Sequence, residues 1–209
     1  MTEVPGVPGV VLAGGLARRM GGGDKALRTI GGRTVLQRIV DRLAPQVGRL
    51  VINANDDPGR FEMYRLPVVA DSLPDHPGPL AGVLAALEWA TANDPAIGWV
   101  VTVPGDAPFV PRDLVARLHA ARESDQAVFA CAASHGRTHP VVALWPVSVR
   151  EELRCAVTEQ GIRRVGRFTL SHPCVSVDWS TMPVDPFFNV NTPEDLAEAD
   201  RLVSTHPEL

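Results

Sequence analysis

The stretch Leu12–Leu27, "LAGGLARRMGGGDKAL", sets five glycines, two arginines and a lysine directly behind an apolar run. Such residues bury little, but they can bind anions. Successive glycines let backbone N–H groups point at an anion without Cβ clashes. Arg18 and Arg19 offer forked donors, and Lys25 offers a mobile point charge. The spacing excludes a Walker A loop, because Lys25 follows Asp24 and precedes Ala26, and it excludes G-x-G-x-x-G. A triphosphate carries several negative charges. One cation about 4 Å from a unit charge contributes about 4 kcal/mol at an effective dielectric of about 20. Several cations plus a metal are a sensible complement. The plain alternative is a surface loop with scattered arginines, but a long glycine-rich loop inside a compact domain favours function.

Three further polar residues stand where apolar runs stop: Asn53 after "RLVI", Asp71 after "LPVVA" and Asp106 in "PGDAPF". Each alone reads equally as a turn or cap residue. Together with Gly14 and Gly15 they mark four strand ends, and ligands of open α/β sheets bind outside the carboxyl ends of parallel strands. Asp106 is the candidate metal ligand, because Mg²⁺ prefers one or two carboxylates completed by water and substrate phosphates. Asn189 and Asn191 in "FFNVN" are amides suited to the metal, to a second substrate, or simply to turn and cap chemistry. No Ser/His/Asp or Cys/His constellation is evident, and the six histidines are scattered.

The elements that must position these residues follow from periodicity. "GVVLAG", "RLVINAN", "LPVVAD", "GWVVTV" and "QAVFACAAS" read as strands. "TVLQRIVDRLA", "GPLAGVLAALEWAT" and "PRDLVARLHAARE" read as helices between them. This alternation implies an α/β fold with a largely parallel sheet covered on both faces. After Ser134 the rhythm changes: "THPVVALWP" is a strand that can close a hairpin, "SVREELRCAVTEQ" a helix, "CVSVDW" and "FFNVN" short strands, and "TPEDLAEADRLV" a closing helix capped by Thr192. The expectation is one domain over 1–209, with a nucleotide-binding half to about 134 and a second-substrate half over 135–209.

A net charge of −4 argues against a general nucleic-acid or anionic-membrane binder. The N-terminus lacks a signal-peptide pattern and no apolar run is long enough to span a membrane, so a cytoplasmic protein is expected. The three cysteines, Cys131, Cys155 and Cys174, form no C-x-x-C and read as reduced, mostly packed thiols.

The quoted loop, "GPLAG" at 78–82, "PGDAPFVP" at 104–111, "HPVVAL" at 139–144 and "NVNTPEDL" at 189–196 resemble, in order and spacing, the motifs of the molybdenum cofactor guanylyltransferases, the MobA family. The resemblance covers almost the whole chain. It implies a three-layer Rossmann-like nucleotidyltransferase fold with a mixed, mainly parallel sheet. It also implies transfer of GMP from GTP to molybdopterin, with or without its molybdenum, releasing pyrophosphate. Carried over by motif, Leu12, Ala13, Gly14, Gly15, Lys25, Asn53, Asp71 and Asp106 form the GTP site, and Asp106 holds Mg²⁺. Lys25, Asp106 and Arg19 are the catalytic candidates. His139, Asn189 and Asn191 are the candidates for the pterin side, and Arg137, Arg163, Arg164 and Arg167 read equally as further cations there or as a solvated basic face. The resemblance further implies transient contact with a molybdenum-insertion protein and molybdoenzymes, and a monomer is expected. Cytidylyl-transferring relatives tend to have alanine where this chain has Gly14 and lack "PLAG", which favours guanine. The alternatives are a molybdopterin cytidylyltransferase or sugar-nucleotide transferase on the same scaffold, or a nucleotide-binding module that does not turn over.

Overall fold

The computed structural model describes residues 6–14, 24–73 and 78–209. Within them, strands β1 (Pro8–Leu12), β4 (Arg49–Asn53), β5 (Val68–Val69), β6 (Trp99–Pro104), β7 (Phe129–Ser134), β8 (Arg137–Pro146) and β9 (Cys174–Asp178) form a seven-stranded sheet of order β5-β4-β1-β6-β8-β7-β9. A small hairpin, β2 (Thr29–Ile30) and β3 (Arg33–Thr34), stands apart. Pairing is parallel throughout except around β8, which runs antiparallel to both β6 and β7. The change of rhythm after Ser134 marks that reversed strand, since β7 turns directly back into β8.

Helices cover both faces. On one side α1 (Val35–Leu43), α3 (Leu114–Asp125) and α6 (Pro193–Thr205) bury Leu36, Ile39, Leu43, Leu114, Leu118 and Ala199. On the other, α2 (Pro79–Asn93), α4 (Arg150–Thr158) and the short α5 (Val165–Thr169) bury Leu80, Leu84, Leu87, Leu153, Val157 and Phe168. The result is the three-layer, mainly parallel architecture that the alternation implied. Local signals set the helix starts. The Thr34 hydroxyl accepts from Gln37 N at 3.0 Å, Pro79 opens α2, and Thr192 with Asp195 closes a reciprocal capping box on α6.

Several expectations needed correction. "FFNVN" forms no strand: Asp185 folds the segment into a turn, its carboxylate accepting from Phe187 N and its carbonyl from Phe188 N. Phe187 turns into the core, 3% exposed, instead of lying along a sheet edge. "LPVVAD" keeps only two residues of ladder, and Asp71 lies two residues beyond it. The helix expected from Pro111 begins at Leu114. The thiols are mixed in exposure: Cys131 is buried and Cys174 exposed. No helix among the described residues is long and apolar enough to cross a membrane.

Where β6 meets the reversed β8, Trp145 is fully buried and donates its indole N–H to Thr102 Oγ1 at 2.9 Å, and that hydroxyl donates to Val141 O at 2.6 Å. Thr102→Val keeps the shape but strips Trp145 of its acceptor. We expect a loss of about 1–3 kcal/mol, read as a lower urea midpoint with unchanged m-value.

Candidate active site

Register gathers the strand ends. Leu12 lies opposite Asn53 on one side and Pro104 on the other, so β4, β1 and β6 stop at one level. Just beyond, Ala13 N donates to Asn53 O at 2.8 Å and Gly105 N to Leu12 O at 2.9 Å. Gly105 permits this closeness: a Cβ there would meet Ala13 Cα and Leu12 O at 3.0 Å.

Asn53 is 4% exposed and donates from Nδ2 to Val69 O at 3.1 Å and Asp71 Oδ1 at 2.9 Å. Asn55, two residues along and on the same face, donates to Asp71 Oδ2 at 3.0 Å and accepts from Asp71 N at 2.9 Å. Asp71 is thus held on both carboxylate oxygens. Gly82 of α2 closes over Asn53: a Cβ at Gly82 would stand 2.4 Å from Asn53 Oδ1. The pocket beside them, about 300 Å³, is lined by Gly14, Asn53, Asp71, Gly78, Gly82 and Asp106 among others. Neither Asp71 nor Asp106 caps a helix.

Lys25 opens a one-turn helix, Lys25–Leu27, whose preceding residue Asp24 accepts from Ala26 N at 3.1 Å. Arg60, in a helical turn spanning Pro58–Tyr64, sits 3.5 Å from Asp24 and donates to Asn55 O at 2.6 Å. The cation-bearing segment is therefore tied to the residue that grips Asp71. Burial raises the Asp24 carboxyl above its ordinary range, against the lowering bond from Ala26 N and the charge of Arg60. Lys25 Nζ donates to Asn191 Oδ1 at 2.6 Å and lies 3.9 Å from Asp106 Oδ2. Burial likewise raises the Asp106 carboxyl, with Lys25 pulling the other way. The Asn189–Asn191 segment is anchored here too, since Val190 N donates to Asp106 O at 2.8 Å.

A second cleft of about 480 Å³ lies on the other side of Asn191, lined by Ser134, Arg137, His139, Asp185, Phe187 and Asn189 among others. Ser134 Oγ is 3.2 Å from Asp185 Oδ2 and 2.8 Å from His139 Nε2. The hydroxyl has one proton and the carboxylate can only accept, so that proton goes to Asp185 and His139 Nε2 donates to Ser134. Burial lowers the His139 imidazole below its usual value, with Asp185 opposing and Arg137 reinforcing the shift. The neutral ring leans on Phe187 at 4.8 Å and keeps Nδ1 as an acceptor.

The structure thus brings Leu12, Ala13, Gly14, Lys25, Asn53, Asp71 and Asp106 around one crevice, with Asn191 at its junction to the cleft of His139 and Asn189. Gly15, Arg18 and Arg19 lie outside the described residues. Arg137 lines the second cleft, whereas Arg163, Arg164 and Arg167, in and before α5, are outside its lining. Asn55, Arg60, Ser134 and Asp185 escaped sequence reading. Only Asn55 carried a signal, its two-residue spacing from Asn53.

This sheet with its strand-end crevice is the architecture of a Rossmann-like nucleotidyltransferase. Residues 9–174 match the MobA-like NTP transferase domain family. The chain is 55% identical to the molybdenum cofactor guanylyltransferase of Nitrobacter hamburgensis over 97% of both chains. It is 55% identical to that of Rhodopseudomonas palustris strain HaA2 over 100% of this chain and 97% of the relative. Among solved structures, the Archaeoglobus fulgidus molybdopterin-guanine dinucleotide biosynthesis protein A superposes with a TM-score of 0.74 at 24% identity, covering 95% of this chain and 100% of that one. A Thermus thermophilus 2-C-methyl-D-erythritol 4-phosphate cytidylyltransferase gives 0.64 at 21% identity over 97% and 100%. At such identities these two likenesses speak for the fold alone. The sequence relatives go further: the chain belongs to the molybdenum cofactor guanylyltransferase family.

Two outcomes follow from this geometry. Gly82→Ala should displace Asn53 and loosen Asp71, raising the KM for the nucleotide about tenfold, equivalent to about 1.4 kcal/mol, with the far-UV spectrum unchanged. Nitrogen-15 NMR should show His139 as the Nε2–H tautomer near neutral pH, and Ser134→Ala should mix the tautomers.

Proposed function

We propose that this chain transfers GMP from GTP to molybdopterin, with or without bound molybdenum, giving the guanine dinucleotide cofactor and pyrophosphate. The observation that carries the reading is the junction of Lys25, Asp106 and Asn191 between a pocket and a cleft, each large enough for one heterocyclic substrate. On this reading residues up to about 134 hold most of the GTP and residues 135–209 supply most of the acceptor side.

In the reaction a terminal phosphate oxygen of the pterin attacks the α-phosphorus of GTP in line. The new P–O bond forms as the bond to pyrophosphate breaks. A phosphate monoester has a second pKa of about 6 and is largely dianionic at neutral pH. The attack therefore needs alignment and charge relief more than a base. Lys25 spends one proton on Asn191 and has two left for phosphate oxygens. Asp71, fixed by Asn53 and Asn55, accepts from guanine N–H groups or from the ribose. His139 offers Nδ1 to a donor on the pterin, and Asn189 and Asn191 border its phosphate. Arg19 and the amides of Gly14 and Gly15 complete the phosphate side.

Asp106 fits a magnesium ion. It is a mostly buried carboxylate beside Lys25 at a distance beyond hydrogen bonding, in a crevice where the other ligands would be water and phosphate oxygens. Bound there, Mg²⁺ would neutralise triphosphate charge and polarise the phosphorus centre. The site is expected to work in one copy of the chain, in the cytoplasm, with the product passed on to molybdenum-insertion proteins or molybdoenzymes.

Pyrophosphate release with purified molybdopterin and each of GTP, CTP, ATP and UTP tests the assignment. GTP-selective release is expected. CTP-selective release overturns the base assignment, and no release with any nucleotide returns the chain to a binding module. Asp106→Ala should abolish metal-dependent turnover with the fold intact. Lys25→Ala should weaken kcat/KM for GTP about tenfold or more, as expected for a charge-assisted hydrogen bond of about 1.5–3 kcal/mol.

A further inference from the structure

Two thiols lie in contact outside the residues just assigned. Cys131 Sγ on β7 is 3.1 Å from Cys174 Sγ at the start of β9. The two strands are parallel, with Phe129 opposite Cys174 and Cys131 opposite Ser176. All four side chains therefore project from one face of the sheet, and the two sulfurs meet diagonally across it. About 1 Å of further approach reaches the S–S bond length of about 2.05 Å.

The two thiols are chemically unequal. Cys131 is 2% exposed, and Cys174 is exposed at the edge of the sheet. A hydrogen bond from Cys131 lowers the Cys174 thiol below its ordinary range, and the same contact together with burial pushes Cys131 up. Cys174, exposed at the sheet edge, is also the sulfur that a reagent in solvent reaches, and a thiolate is the nucleophile in sulfur chemistry. A cavity of about 280 Å³, lined by Cys131, Thr138, Pro140, His172, Cys174 and Ser176 among others, gives a small molecule access. The third cysteine, Cys155 on α4, contacts Glu159 and Gln160 and has no sulfur neighbour among the described residues.

We propose that Cys131 and Cys174 form an oxidative modification site for hydroperoxides, with Cys174 the attacked sulfur and Cys131 the resolving thiol. The Cys174 thiolate attacks the distal peroxide oxygen, the O–O bond breaks, and the protein gains Cys174–S–OH while the alcohol or water leaves. Cys131 sulfur then attacks Cys174 sulfur, the S–O bond breaks, and water departs with the Cys131 proton. The net change is two thiols and one hydroperoxide to one disulfide, one alcohol or water and one further water. The new bond staples edge strand β9 to β7, at the point where the β7–β8 register shifts between Cys131 and Ala132.

The test uses the reduced full-length chain treated with a small excess of hydrogen peroxide, then iodoacetamide, followed by intact-mass and peptide analysis. Expected are the loss of two hydrogen atoms, a linked Cys131–Cys174 peptide, alkylation at Cys155 alone, and full reversal by dithiothreitol. With dimedone present, Cys131→Ser should accumulate an adduct at Cys174 and no cross-link. Cys131→Ala is the second variant should the serine disturb the buried position, and the wild-type peptide map decides the disulfide without either. Three alkylated cysteines after peroxide, a cross-link through Cys155, or adduct formation at Cys131 in preference to Cys174 would overturn the proposal.

Discussion

Leu12 carries β4 on one flank and β6 on the other, and the register on both sides brings all three strands to a stop together. Everything polar in the crevice depends on that level. Asn53 ends β4, and Asp106 follows the end of β6 by two residues. Parallel neighbours cannot be joined by tight hairpins, so their ends are free to carry such groups while the crossovers run behind the sheet. The closeness is purchased with glycine. Gly105 lets the chain after β6 touch the chain after β1, and Gly82 lets α2 settle onto Asn53. A methyl group at Gly82 would push on the Asn53 side chain, and one at Gly105 would press on the Leu12 carbonyl and on Ala13, so neither would merely fill a void.

Charge is the second constraint. Asp24 and Asp106 are both carboxylates that burial would rather see protonated, and each has a cation close by, Arg60 and Lys25. Since Asp24 and Lys25 are adjacent, one short segment delivers a cation to Asp106 and an anion to Arg60. Arg60 then reaches Asn55, and Asn55 holds Asp71. The groups proposed to meet the phosphates and those proposed to meet the nucleoside are therefore linked by hydrogen bonds and ion pairs through Arg60.

Much of this is legible in the sequence itself. Helices α1 and α2 announced themselves through apolar residues at helical spacing and α6 through its Thr192 cap, because both signals are local chemistry. Asn53, Asp71 and Asp106 were visible as polar residues closing apolar runs. What stayed hidden was nonlocal. Arg60 sits in "DDPGRFEMY", a stretch with no periodicity to flag it, and matters only because the fold returns it to Asp24. Ser134 looked like the last residue of a strand. Its importance comes from Asp185, about fifty residues away in sequence. "FFNVN" misled because aromatic and β-branched residues imitate a strand wherever a turn happens to bury them.

The second half of the chain does more than extend the sheet. By reversing direction, β8 brings His139 back beside the end of β7, where Ser134 waits. The turn at Asp185 then supplies the carboxylate that orients the pair, and the same turn leads through Val190 to Asp106 and through Asn191 to Lys25. One irregular segment, Asp185–Asn191, therefore touches both the histidine of the second cleft and the carboxylate and lysine of the strand-end crevice. A regular strand could not do this, since its side chains would alternate across the sheet instead of reaching two sites along one side. On the proposed reading, this irregularity is what sets an incoming phosphate against the α-phosphate of the nucleotide. On that reading the reaction asks for alignment and charge relief instead of a protein nucleophile, and this bridge supplies the alignment.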